Sequence, residues 1–191
     1  AATAAGIMIG HCPHYCLDEV ATHALALLLG CIRRFRSTLA MLSAGGWNQN
    51  PTFRADRMTG RTLGIVGLGN IGSTVARKLG GWGLRLLAHD PFVEPRHAAS
   101  LGVSLVDHDT LLRESDYISL HVPLLPETHH LLDGRAFALM KPGVILVNTA
   151  RGPVVDETAL LNALESGRVA AAALDVFERE PLPAGSPLRH H

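Results

Sequence analysis

Cysteine, aromatic residues and net charge are all scarce in this chain. Three Cys among 191 residues cannot form a disulfide framework, and an odd count leaves one unpaired. The expectation is a reduced, intracellular protein, in the cytoplasm. Lys plus Arg and Asp plus Glu each number 17, so the formal net charge is zero. Neither a basic nucleic-acid surface nor an acidic tail is implied. Aromatics make up 5% of the residues while 47% are apolar, the balance of a packed domain rich in Ala, Leu, Val and Gly. No apolar run reaches membrane-spanning length. The most apolar one, Ala24 to Ile32, reads as a buried helix face. No charged start followed by an apolar core marks a signal peptide. His11, Cys12, His14 and Cys16 look like metal ligands, but their spacing fits no standard zinc pattern and no second pair follows. No metal site is expected. The length suits one ordinary domain or slightly more.

What is present begins with Gly64-Ile65-Val66-Gly67-Leu68-Gly69-Asn70-Ile71-Gly72, followed downstream by Asp90. Thr62 to Val66 is a short apolar run suited to a buried parallel strand. Gly67 permits a tight turn, Gly69 lets backbone N–H groups approach a pyrophosphate, and Gly72 lets the next helix pack on the strand. Together with Asn70 and Ile71 they open a helix whose N-terminus offers free donors to phosphate. Asp90-Pro91 closes the second strand. Its carboxylate can accept hydrogen bonds from both ribose hydroxyls of an adenosine and repels a 2′-phosphate, so NAD is expected over NADP. Arg96 lies close enough in sequence to soften that discrimination.

The pattern after residue 61 alternates strand and helix. Strands are predicted at 62–66, 84–89, 103–105, 117–121, 143–147 and 171–174, and helices at 71–80, 95–101, 108–114, 134–139 and 156–166. This predicts an α/β fold, a doubly wound parallel sheet of the Rossmann kind with helices on both faces. Before it, Gly6 to Ile9 reads as a short strand or extended segment. Asp18 is expected to cap one long helix running to about Leu42 and ended by Gly45-Gly46. The stretch from Trp47 to Gly60 reads as a loop.

In such a sheet the ligand crevice lies beyond the strand C-termini. The residues there are Gly67, Asp90, His121-Val122-Pro123, Asn148-Thr149-Ala150-Arg151 and Asp175-Val176. Arg151 carries a planar, permanently charged fork that matches a carboxylate or keto acid, or else is a surface residue of a loop. Glu180 could brace a catalytic imidazole, or be a solvated acid in a charged run.

Three segments together resemble the D-isomer-specific 2-hydroxyacid dehydrogenase family. They are Asp18-Glu19-Val20-Ala21-Thr22-His23-Ala24-Leu25-Ala26-Leu27-Leu28-Leu29, the glycine fingerprint, and the set His121-Val122-Pro123-Leu124, Asn148-Thr149-Ala150-Arg151-Gly152 and Ala173-Leu174-Asp175-Val176-Phe177-Glu178. The resemblance covers essentially the whole chain. It implies that Arg151 binds the substrate carboxylate and keto oxygen, that Glu180 pairs with the catalytic His, and that Asp175 contacts the nicotinamide carboxamide. Backbone around Val122, Pro123, Thr149, Ala150 and Arg151 would line the nicotinamide and its ribose. Leu125 stands where many members have Thr.

The resemblance also implies a catalytic His in a Pro-His motif beyond His191; His190 and His191 lie too near Glu180 to match it. The family's substrate domain precedes residue 18 and is largely absent. The expectation is therefore an NAD-binding domain over 1–191, truncated at both ends, with an interdomain and dimerisation helix at 18–42 and a Rossmann core at 61–191. Its parent would interconvert a 2-keto acid and a D-2-hydroxy acid, as a homodimer. An NADH-sensing corepressor of the same fold is the alternative reading. A different Rossmann enzyme, similar to adenosylhomocysteinase or alanine dehydrogenase, would lack the Arg151 and Glu180 pair at this spacing.

Overall fold

The computed structural model describes residues 2–10, 12–47 and 57–190. Two helices come first, α1 (Leu17–Ile32) and α2 (Phe35–Ser43). Then follow β1 (Thr62–Val66), α3 (Asn70–Lys78), β2 (Arg85–His89), α4 (Pro95–Ser100), β3 (Val103–Leu105), α5 (His108–Glu114), β4 (Tyr117–Leu120), α6 (Gly134–Leu139), β5 (Val144–Asn148), α7 (Glu157–Glu165) and β6 (Val169–Leu174). The strands form one six-stranded sheet in the order β3-β2-β1-β4-β5-β6, and every pairing is parallel. Strand order reverses between β1 and β4, which is where such a sheet opens a crevice.

Central strands buried on both faces explain the continuous apolar runs: every residue of β1, β4 and β5 is buried. On one face Ala21, Ala24, Leu25, Leu28 and Ile32 of α1 pack with Val75 and Ala76 of α3 and Ala98 of α4 over Leu63 and Ile65. On the other, Leu111, Leu112, Phe137, Met140, Leu160 and Ala163 pack over Ile118, Leu120 and Leu146. Helices thus cover both faces. Asp107, Asp133 and Asp156 accept backbone hydrogen bonds from Thr110, Ala136 and Ala159 and so cap α5, α6 and α7; the first two start at the predicted residues and the third one residue later.

Three expectations change. The long helix is two helices, broken where Arg34 takes a left-handed conformation at φ 54°. The buried stripe of α1 ends at Ile32, and none of α2 is buried, so no core contact holds both on one axis. Asp18 is not the cap. Cys16, at φ 57°, holds that position with no side-chain capping bond, while Asp18 sits in the first turn and pairs with Lys78 of α3 at 2.7 Å. Residues 6–9 form no strand; a single 3₁₀ turn, Thr3–Ala5, precedes them. The remaining boundaries move by one or two residues, chiefly β6, which starts at Val169.

Part of the predicted 47–60 loop, residues 48–56, lies outside the described residues, as does His11 of the Cys/His cluster. Among the described residues no group of three or more His, Cys, Asp or Glu is arranged to hold a metal. Nor is any helix there long and apolar enough to cross a membrane.

Candidate cofactor and substrate site

The glycine loop is fixed by what surrounds it. Gly67 has φ +90°, a backbone conformation that side chains rarely adopt, and an added Cβ would stand 2.8 Å from the His121 carbonyl oxygen and from Val122 Cγ1. At Gly72 a Cβ would lie 2.1 Å from the Gly67 carbonyl oxygen, so α3 starts flush against the turn. Gly69 differs: nothing lies within 4 Å of the position its Cβ would take. The middle glycine therefore faces open space at the N-terminus of α3. The first N–H groups there, those of Asn70, Ile71 and Gly72, have no intrahelical acceptor. This is the geometry of an anion cradle.

Asp90 closes one side of the cradle. Its Oδ2 accepts from Leu68 N–H at 2.8 Å and its Oδ1 from Phe92 N–H at 2.9 Å. Each carboxylate oxygen keeps a second lone pair for a ribose hydroxyl. Pro91, between the two anchors, is exposed. Arg96, which the sequence left free to soften the choice of NAD, is ion-paired with Glu94 at 2.5 Å.

Across the switch point, His121 N–H donates to the Val66 carbonyl at 2.8 Å, tying the loop after β4 to β1. The His121 Nε2 lies 2.9 Å from Ser119 Oγ, and burial pushes the imidazole down to about 4. It is neutral at physiological pH. Val122 is half-buried and Pro123 exposed. Thr128 Oγ1 donates to the Pro123 carbonyl at 2.6 Å and accepts from Leu125 N–H at 2.8 Å. The loop around Leu125 thus holds its shape through Thr128.

The loop after β5 is clipped by Asn148, which the sequence placed at the ligand edge without giving it a role. Asn148 is 1% exposed; its Oδ1 accepts from Ala150 N–H at 3.0 Å and its Nδ2 donates to the Arg151 carbonyl at 3.0 Å. An Asn closing a strand ahead of a tight turn is the local signal of such a clip. Within the clip Thr149 carries a buried hydroxyl with no hydrogen-bond partner, and Ala150 is buried. Arg151 is exposed and its Nη1 donates to the Ala150 carbonyl at 2.6 Å. A Cβ on Gly152 would stand 1.9 Å from the Phe177 carbonyl, so the loops after β5 and β6 touch backbone to backbone.

Asp175 N–H donates to the Asn148 carbonyl at 3.0 Å, and the Asp175 carboxylate lies 3.4 Å from Nε2 of His23 on α1. Glu180 Oε1 accepts from Phe177 N–H at 3.0 Å. Arg151 and Glu180 therefore share one edge of the sheet on touching loops, with no bond between them. Nearby, Glu178 and Glu157 each accept the other's backbone N–H at 2.8 Å, and His130 Nε2 lies 3.2 Å from Glu178. These pairs, like His23 with Asp175, are long-range in sequence and carry no local motif.

NAD fits this edge by three independent features: the space at Gly69 above free N–H donors, the doubly anchored Asp90, and the unpartnered Thr149 hydroxyl. Comparison with known proteins agrees. Residues 25–191 match the model of the D-isomer specific 2-hydroxyacid dehydrogenase NAD binding domain. The chain belongs to that family and is its NAD-binding domain. It is 46% identical over 181 residues to a D-3-phosphoglycerate dehydrogenase of Mycobacterium leprae, a match covering 95% of this chain and 34% of the relative. The TT0316 protein of Thermus thermophilus superposes with a TM-score of 0.91 at 40% identity, covering 99% of this chain and 60% of that one. A D-lactate dehydrogenase from Aquifex aeolicus, crystallised with NAD and lactic acid, gives a TM-score of 0.85 at 37% identity over 93% of this chain and 53% of its own. The chain thus spans about a third of the Mycobacterium relative and little more than half of the two solved structures.

Proposed function

We propose that the complete polypeptide interconverts a 2-keto acid and a D-2-hydroxy acid with NAD. The observation that carries this reading is Arg151, exposed on a loop clipped by Asn148, at the same sheet edge as the glycine cradle. Bound NADH supplies the hydride that reduces a keto carbonyl. Arg151 receives the substrate carboxylate in its fork and polarises the keto oxygen, orienting the carbon for attack. Asp175 would hold the nicotinamide carboxamide of bound NAD, and Asn148 keeps Arg151 and Thr149 in register. The general acid is a histidine outside residues 1–191, with Glu180 as its brace. Glu180, whose Oε1 accepts from Phe177 N–H, lies on the loop that touches the Arg151 loop, in reach of the same substrate.

The test is a panel of 2-keto acids offered with NADH to the complete polypeptide, with chiral analysis of the product. D-hydroxy acid formation supports the reading, and no turnover across the panel contradicts it. Residues 1–191 alone are expected to bind NADH with little or no turnover.

The same reading makes the protein a cytoplasmic homodimer joined through residues 18–42. Phe35, Leu39 and Leu42 of α2 are 58%, 62% and 43% exposed, an apolar face with nothing packed on it among the described residues. Cys12, Cys16 and Cys31 are free, as a reducing compartment allows. Sedimentation of the complete polypeptide as a monomer would count against the dimer.

A further inference from the structure

The glycine loop is held from its carbonyl side by two residues far apart in sequence. Ser73, 5% exposed on α3, donates its hydroxyl hydrogen to the Leu68 carbonyl at 2.8 Å. Nε2 of His97, on α4, lies 2.8 Å from the same Ser73 oxygen. A serine hydroxyl has one hydrogen, and two oxygens 2.8 Å apart need it between them. His97 must therefore donate, through Nε2–H, to a Ser73 oxygen whose hydrogen is already committed. The Leu68 peptide is thus gripped at both ends: Asp90 holds its N–H at 2.8 Å, and the His97–Ser73 pair holds its carbonyl. Both Asp90 and His97 belong to the segment that leads from β2 into α4. The Leu68 peptide so held lies next to the open space at Gly69.

We propose that His97 and Ser73 are positioning residues for the pyrophosphate of NAD: through the Leu68 carbonyl they aim the N–H groups of the glycine loop, leaving the ribose acceptors of Asp90 in place. Neither touches the cofactor. The inference rests on the NAD reading of the site, and the ligands chosen separate the two. ADP carries both pyrophosphate and ribose, so it depends on the loop. Adenosine carries the ribose hydroxyls alone, so it depends on Asp90 and is indifferent to the loop.

The experiment measures Kd for NADH, ADP and adenosine with the wild type, His97→Leu, His97→Gln, Ser73→Ala and the Ser73→Ala/His97→Leu double variant. Gln extends an amide donor about as far as Nε2. The expected result is a loss of about five- to tenfold for NADH and ADP in His97→Leu, the usual scale for one hydrogen bond. Adenosine binding is expected to be unchanged, and His97→Gln to stay within about twofold of wild type. The double variant should bind no worse than Ser73→Ala, because the two residues act through one oxygen. If His97→Leu does not fold, His97→Gln against His97→Asn decides, since the Asn amide stops short of Ser73. Equal NADH affinity in His97→Leu and wild type overturns the proposal, as does equal loss for adenosine, or His97→Gln behaving as His97→Leu. Failure of the wild type to bind NADH would instead overturn the cofactor reading itself.

Discussion

Gly152 lies under the backbone of Phe177: a Cβ on Gly152 would fall 1.9 Å from the Phe177 carbonyl carbon and 2.5 Å from Glu178 N. This contact brings the loop of Arg151 against the loop of Asp175 and Glu180. Gly152→Ala must push the two backbones apart, and backbone cannot yield as a flexible side chain would. A destabilisation of about 3 kcal/mol or more is expected, in the range of severe overpacking. Thermal and urea unfolding of the variant check it, and a loss under about 1 kcal/mol would contradict the packing described.

Asp90 is proposed to set cofactor choice through its two anchored oxygens. In Asp90→Ala the ribose acceptors and the anchor of Leu68 N–H go together, as does the charge that repels a 2′-phosphate. NADH should weaken by about tenfold or more, while NADPH weakens less, so the preference between them collapses. Parallel titrations with the two dinucleotides read this directly. Equal loss for both would mean that Asp90 only shapes the loop.

His121 makes stability depend on pH. Burial lowers its pKa from 6.5 to about 4, so the unfolded chain binds the proton more readily than the folded one. Its neutral form is fully tolerated above pH 6.5, and stability is lost as pH falls from there toward 4. The loss amounts to at most about 3 kcal/mol over that window. Denaturation curves across it should show a component that disappears in His121→Gln. An unchanged pH profile in the variant would show that the imidazole is not the cause.

Under the proposed function the Arg151 guanidinium serves the substrate, and only its backbone serves the cofactor. In the complete polypeptide Arg151→Gln should cut kcat/KM by about a hundredfold or more while leaving the Kd of NADH within about twofold. Arg151→Lys should recover little, because an ammonium lacks the planar fork. A parallel rise in the Kd of NADH would show that the guanidinium itself serves the cofactor.

The sheet was legible because each signal was local. β1 reads as a buried run between Arg61 and Gly67, and α5 and α6 begin at their Asp caps as the sequence suggests. The break at Arg34 was not legible. Phe35, Leu39 and Leu42 continue the helical spacing of α1, and periodicity does not record a change of axis when the new helix buries nothing. The candidate site divides in the same way. Gly67, Gly69 and Asp90 announce themselves by spacing, whereas His97 meets Ser73 and Glu157 meets Glu178 only once the crossovers have folded. Such pairs leave no trace in any short window of sequence.

The most direct measurement is a calorimetric titration of residues 1–191 with NADH and, separately, with NADPH. The structure predicts saturable binding of NADH with a clear preference over NADPH, carried by the cradle at Gly69 and by Asp90. Binding of neither dinucleotide, or tighter binding of NADPH, would contradict it.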